Sequence, residues 1–164
     1  MRNFTLITGL AMCVALSSVS AQTGSGVYVN PKASVAEFAR TTLLDNEALY
    51  GFGVGYRFSG PVALEGSYVF DISSVENRAG TSAEIDVWDI SVLYHFLESE
   101  RVSPFIGLGY GEQDISLAGQ GKESQMNAGL GLRWRLFRDV DARAQYSFYD
   151  GADAGGLDRI FNVG

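Results

Sequence analysis

Residues 50–58 read Tyr-Gly-Phe-Gly-Val-Gly-Tyr-Arg-Phe. Successive side chains on a strand point to opposite faces, so Tyr50, Phe52, Val54, Tyr56 and Phe58 share one face and Gly51, Gly53, Gly55 and Arg57 the other. A helical period would not sort them, and the segment reads as a strand. The alternation recurs over 62–70, 88–96, 104–110, 128–136 and 140–148, with a weaker copy over 26–36. Each is near the ~9–11 residues with which a tilted strand crosses a bilayer.

Collected over these segments, one face runs from Val27 and Val29 through Leu64, Tyr68, Trp88, Ile90, Leu108, Leu130 and Trp134 to Phe148 and carries no charge. The other holds Lys32, Arg57, Glu65, Asp71, Asp89, His95, Arg133, Arg135, Asp141 and Arg143 among Gly and Ser. Alternation alone would also suit a soluble barrel with its apolar face packed inward. Size decides between the two, because a narrow lumen favours small residues and paired charges while bulky rings need the roomier outside. The rings are therefore expected to face lipid, where one charge near the midplane would cost about 2–4 kcal/mol. Tyr56, Phe58, Tyr94, Phe96 and Trp134 close three segments as an aromatic girdle at one interface, and Tyr50, Tyr68, Trp88, Tyr110 and Tyr146 suit the other.

Connections alternate in length: 59–61, 97–101 and 138–139 are short, while those near 37–47, 72–84, 112–124 and 150–159 are long. Bacterial barrels show this asymmetry, short on the periplasmic side and long outside. Seven strands would leave the termini on opposite sides, and 158–164 supplies an eighth with Phe161 and Val163 outward and Asn162 inward. Phe58, Phe96 and Phe137 recur at intervals that would close the eighth strand on an aromatic beyond Gly164, so that strand is expected to be truncated, the alternative being a short but sufficient final strand. The fold class expected is all-β, an eight-stranded antiparallel up-and-down transmembrane β-barrel with an N-terminal signal peptide.

That signal peptide is read from Arg2, the apolar run Phe4–Leu16 and the small residues ending at Ala21. Residues 1–21 are expected to be cleaved, leaving 22–164 as the barrel domain. No stretch approaches the ~20 apolar residues of a spanning helix. Cys13, the single Cys, lies in the leader behind Met12, where a lipoprotein signal would place a small residue, so no disulfide and no lipid anchor are expected. At 164 residues the chain allows one ordinary domain, and 20 Gly, 8 Tyr and 10 Phe beside 3 Pro suit strands better than a helical bundle. With 19 acids against 12 bases, net -7 and no basic cluster, the chain is a poor match for nucleic acid.

In order along the chain stand GVYVN, GFGVGYRF, LEGSYVFD, SPFIGLGYG, AGLGLRWRL and DARAQYSFYD. This series resembles the OmpA-like outer-membrane barrel family from about Gly26 onward. The resemblance implies a salt bridge inside the barrel between Glu65 and Arg143. The family's second pair, a Lys on the fourth strand and a Glu on the sixth, falls on Ser91 and Arg133 and is absent. Unpaired Arg in a narrow lumen is costly, so Arg57, Arg133, Arg135 and Arg143 are expected to share Glu65, Asp89 and Asp141 or bound water.

His95, the only His, should point into the lumen near the short-turn end. Barrels that deacylate lipid A carry His-x-Ser, and here the residues are His95, Phe96 and Leu97, so a structural His is expected, with no catalytic, cofactor-binding or metal site. The connections at 37–47, 71–86, 112–124 and 150–159 hold thirteen acids and four bases, an acidic rim that suits solvation first and a basic surface partner or divalent cations second. The expected function is a non-enzymatic, monomeric barrel of a Gram-negative outer membrane, in contact with lipid and lipopolysaccharide, that supports envelope integrity and displays acidic loops. The alternatives are a narrow ion-conducting pore and a lipid A-modifying barrel enzyme.

Overall fold

The computed structural model describes residues 18–20, 25–38, 47–70, 75–76, 82–83, 85–97, 101–115, 122–137, 140–151 and 157–164. Eight antiparallel strands make one closed ring: β1 (Gly26–Phe38), β2 (Glu47–Arg57), β3 (Val62–Phe70), β4 (Ile85–His95), β5 (Val102–Ile115), β6 (Lys122–Phe137), β7 (Val140–Gly151) and β8 (Leu157–Val163). Each pairs with its successor, and β8 returns to β1 through Ile160↔Ala36 and Phe161↔Val35. The ladder from Gly26 through Arg57, Ala63, Leu93, Gly107, Gly129, Ser147 and Ile160 arrives back on β1 at Ala36, ten residues above its start. Such a stagger goes with strands tilted by ~35–45° and an interior just wide enough for side chains.

At the lower end of the seam β8 gives way to a short strand, Ser18–Ser20. Val163 pairs with Ala144 and Ala33, and the Gly164 backbone bonds Arg143 in both directions at 2.6 and 2.8 Å. Below it, Val19 pairs with both Val140 and Val29. Ser18–Ser20 belongs to the stretch read as a cleaved leader, whose remainder lies outside the described residues. The tight turn from β2 to β3 uses Gly60 at φ 129°, a conformation that side chains rarely adopt.

The outer surface carries the rings. Tyr56, Phe58, Tyr94, Phe96 and Trp134 are exposed at the short-turn end, with edge-on pairs Tyr56–Phe58 at 5.1 Å and Tyr94–Phe96 at 5.2 Å. Between the two aromatic levels lie Ile90, Val92, Ile106, Leu108 and Leu130, with Leu108 65% exposed. No soluble core would leave so much aliphatic surface open, and hydrocarbon is the solvent that suits it.

Toward the long connections the strands run further than the alternation predicts. β2 begins at Glu47, β4 at Ile85 and β6 at Lys122, while β5 reaches Ile115 and β7 Gly151. Outward residues there are polar: Tyr68 Oη donates to Asp86 at 2.7 Å, and Lys122 meets Glu112 at 3.4 Å. These strand ends rise above the apolar band, where an outward charge costs nothing, so the apolar alternation stops before the strand does. Several acids assigned to loops, among them Asp86, Glu112, Asp114 and Asp150, therefore sit on strands.

The interior is layered, with apolar clusters beside the small and charged residues read from the sequence. Near the long-connection end Ala36, Leu49, Val69, Ile85, Val87 and Ile160 pack into one apolar cluster with Tyr149 against it. A smaller cluster of Tyr28, Ala63, Leu93 and Phe105 lies near the short-turn end. The ionic side chains are concentrated in the lower and middle lumen. An apolar plug satisfies its own surface and leaves no buried charge to neutralise, so it closes a narrow cylinder as well as an ion network does.

Candidate functional site

The site begins with the glycines of the 50–58 segment. Gly51, Gly53 and Gly55 put no side chain into the lumen, so β2 is a low floor between β1 and β3. A Cβ on Gly53 would stand 3.1 Å from Glu65 Cδ, and one on Gly55 would overlap the Tyr28 ring. Tyr28 and Lys32 of β1 reach across this floor to Glu65 of β3. Tyr28 Oη donates to Glu65 Oε2 at 2.9 Å, and Lys32 Nζ stands 2.8 Å from Oε1. Arg143 of β7 crosses from the opposite wall and donates through a terminal nitrogen to Glu65 Oε2 at 2.6 Å. Its other terminal nitrogen donates to Gln145 Oε1, and its guanidinium lies 4.5 Å from the centre of the Phe105 ring. One carboxylate, 2% exposed, thus gathers three donors.

These are short charge-assisted bonds in a dry setting. Burying the charges has its own cost, so the network's net contribution to stability is small or even negative, whereas removal of one partner would leave charge stranded at a cost of about 3–5 kcal/mol. The arrangement fixes geometry. It ties β1, β3 and β7 together through the middle of the barrel and fills the cross-section.

A second group lies lower. Asp141 stands 4.0 Å from an Arg57 terminal nitrogen and 3.8 Å from one of Arg133. Arg135, half-buried, sits opposite Asp141 in the β6–β7 register. Arg57 also lies 5.8 Å from the Tyr28 ring centre.

Asp89 differs from its expected role. Both its oxygens are held by hydroxyls, Ser67 Oγ at 2.6 Å and Ser91 Oγ at 2.7 Å, and among the described residues it joins no base. It sits two residues above Ser91, the register partner of Glu65, beyond reach of the bases clustered below. His95 is buried with its ring 5.2 Å from Phe105, and its Nδ1 has no hydrogen-bond partner. Asp71 lies outside the described residues.

Sequence reasoning missed Tyr28 and Phe105, which build the walls of the network. A signal existed: both are aromatic residues at positions of the small and charged face, where bulky rings were not expected. Lys32 was placed inside but not joined to Glu65, because the two are two strands apart and only the glycine floor brings them together.

Residues 6–164 match the family model described as outer membrane protein beta-barrel domain. Among solved structures, the N-terminal β-barrel domain of Pseudomonas aeruginosa OprF is 21% identical with a TM-score of 0.59, covering 86% of this chain and 97% of that one. Neisserial surface protein A is 16% identical with a TM-score of 0.63, covering 85% and 94%. Ail, the attachment invasion locus protein of Yersinia pestis, is 17% identical with a TM-score of 0.53, covering 85% and 95%. At these identities the likeness concerns the fold. No curated protein matches the chain.

Proposed function

Because the chain belongs to the outer membrane protein beta-barrel family, we propose that it is a non-enzymatic, non-conducting barrel of a Gram-negative outer membrane that reinforces the envelope and displays an acidic rim. The observation that carries this reading is the filled lumen, with Glu65 clamped by Tyr28, Lys32 and Arg143 beneath an apolar cluster. Such an interior suits a wall element better than a conduit. The apolar band with its aromatic borders is built to contact lipid and lipopolysaccharide as a monomer. The acids at the strand tips give a basic surface partner or divalent cations a place to meet it.

Planar-bilayer recording of the purified protein tests the reading: a silent bilayer is expected, and discrete openings in the wild type would overturn it. Lipid A mass spectra from cells expressing wild type and His95→Ala are expected to be the same, and a difference would point to an enzyme.

A narrow pore is the second reading, favoured by one feature. Glu65 holds two cations, so Arg143 could leave while Lys32 keeps the carboxylate neutralised.

A further inference from the structure

A cavity of about 20 Å³ lies at the short-turn end of the lumen between Arg57, Arg133 and Arg143, with Asp141, Asn30 and His95 in its wall. That volume accommodates one particle the size of a water molecule. Three guanidinium groups face it with a single carboxylate. Arg143 is committed to Glu65 at 2.6 Å. Asp141 stands 3.8 Å from an Arg133 nitrogen and 4.0 Å from one of Arg57, and for Arg57 that is well beyond the ~2.7–2.9 Å of a close charge-assisted bond. Arg57 Nε and His95 Nδ1 are both buried without a hydrogen-bond partner. An N–H on a buried cation is costly to leave unmet, and the charge behind it more so.

We propose that this cavity binds one small monovalent anion of chloride size, held between the guanidinium groups of Arg57, Arg133 and Arg143. Water would satisfy the Arg57 N–H but leave the positive charge in place, whereas a halide answers both. The volume turns away polyatomic anions such as sulfate and phosphate. Asp141 competes with the anion for the same two guanidinium groups, so it weakens the site and its neutralisation tightens binding. The site is independent of whether the barrel conducts.

Two probes test this on the full chain folded in detergent. Bromide locates the site: crystals soaked in sodium bromide and measured at the bromine absorption edge are expected to show an anomalous peak among the three arginines. Chloride measures the binding. In urea unfolding at constant ionic strength, with chloride replacing gluconate, the folded-to-unfolded ratio is expected to rise in proportion to chloride above the dissociation constant, reaching about 100-fold at a chloride concentration 100 times that constant. Arg57→Gln is expected to lose this dependence and Asp141→Asn to shift it to lower chloride. Should Arg57→Gln fail to fold, Asp141→Asn decides alone. Equal stability in chloride and gluconate, a cavity holding only water in bromide-soaked crystals, or wild-type chloride dependence in Asp141→Asn would each overturn the proposal.

Discussion

Glu65→Gln is the most direct test of the buried network. The amide keeps the shape of the carboxylate and leaves Tyr28 an acceptor, but Lys32 and Arg143, at 2.8 and 2.6 Å, lose the charge that neutralised them. Two cations would then share a site whose carboxylate is 2% exposed. Breaking a buried ion pair on one side costs about 3–5 kcal/mol. At about 1.4 kcal/mol per factor of ten, the folded-to-unfolded ratio is expected to fall by roughly 140- to 3,700-fold. Urea unfolding of the detergent-folded protein measures it, with Trp88 and Trp134 as reporters because both lie exposed on the outer wall and lose their detergent surroundings on unfolding. Adding Lys32→Met to Glu65→Gln removes one stranded cation and is expected to restore part of the loss, the non-additivity expected of groups in one network. A Glu65→Gln protein within about 0.5 kcal/mol of wild type, the usual scale of surface changes, would refute the reasoning, since it would mean that water already solvates these cations.

The outer wall and the packed interior give two more tests by the same assay. Ile90→Arg, between Trp88 and Tyr94 on the outer face of β4 and 54% exposed, is expected to lose about 2–4 kcal/mol, while Asp114→Arg above the apolar band loses at most about 1. Equal costs at the two positions would contradict the placement of the hydrocarbon. Gly131→Ala is expected to cost about 1–3 kcal/mol by overpacking, because its Cβ would overlap the Phe105 ring and the Ala144 carbonyl, while Gly66→Ala, whose nearest neighbour is 4.0 Å away, is expected to cost much less. A neutral Gly131→Ala would show that Phe105 does not fill the space across from it.

The fold was legible because its rule is simple: a period of two with charge confined to one face, repeated often enough that strand count and handedness of the faces followed. What escaped lay where that rule has no physical basis. Above the apolar band, outward Asp86, Glu112 and Lys122 face solvent, so hydrophobicity no longer marks a strand that hydrogen bonding continues. Inside, Leu49, Ile85, Val87 and Ile160 pack against one another across strands distant in sequence, and a single strand shows each as one apolar residue on the wrong face. The residues of the ion network were legible by parity alone. Their partners were legible only in part: the resemblance implied Glu65 with Arg143, but the stagger of the closed ring is what joins Lys32 to Glu65 and leaves Asp89 above the bases of the lower lumen.

Two barriers in series follow from the layered lumen, and they can be separated. An ion entering from the long-connection end meets Leu49, Val69, Val87 and Ile160 before it reaches Glu65. Taking a charge into such a layer costs several kcal/mol even after relaxation, and each 1.4 kcal/mol is a factor of ten in passage. Loosening the Glu65 network therefore leaves the apolar layer as a full barrier, and opening the apolar layer leaves the network. Glu65→Gln alone and Leu49→Ser with Ile160→Ser alone are each expected to stay silent in planar bilayers, and the triple variant is expected to conduct. If Glu65→Gln alone passed as much current as the triple variant, the apolar cluster would be no barrier, and closure of the barrel would rest on the ionic network by itself.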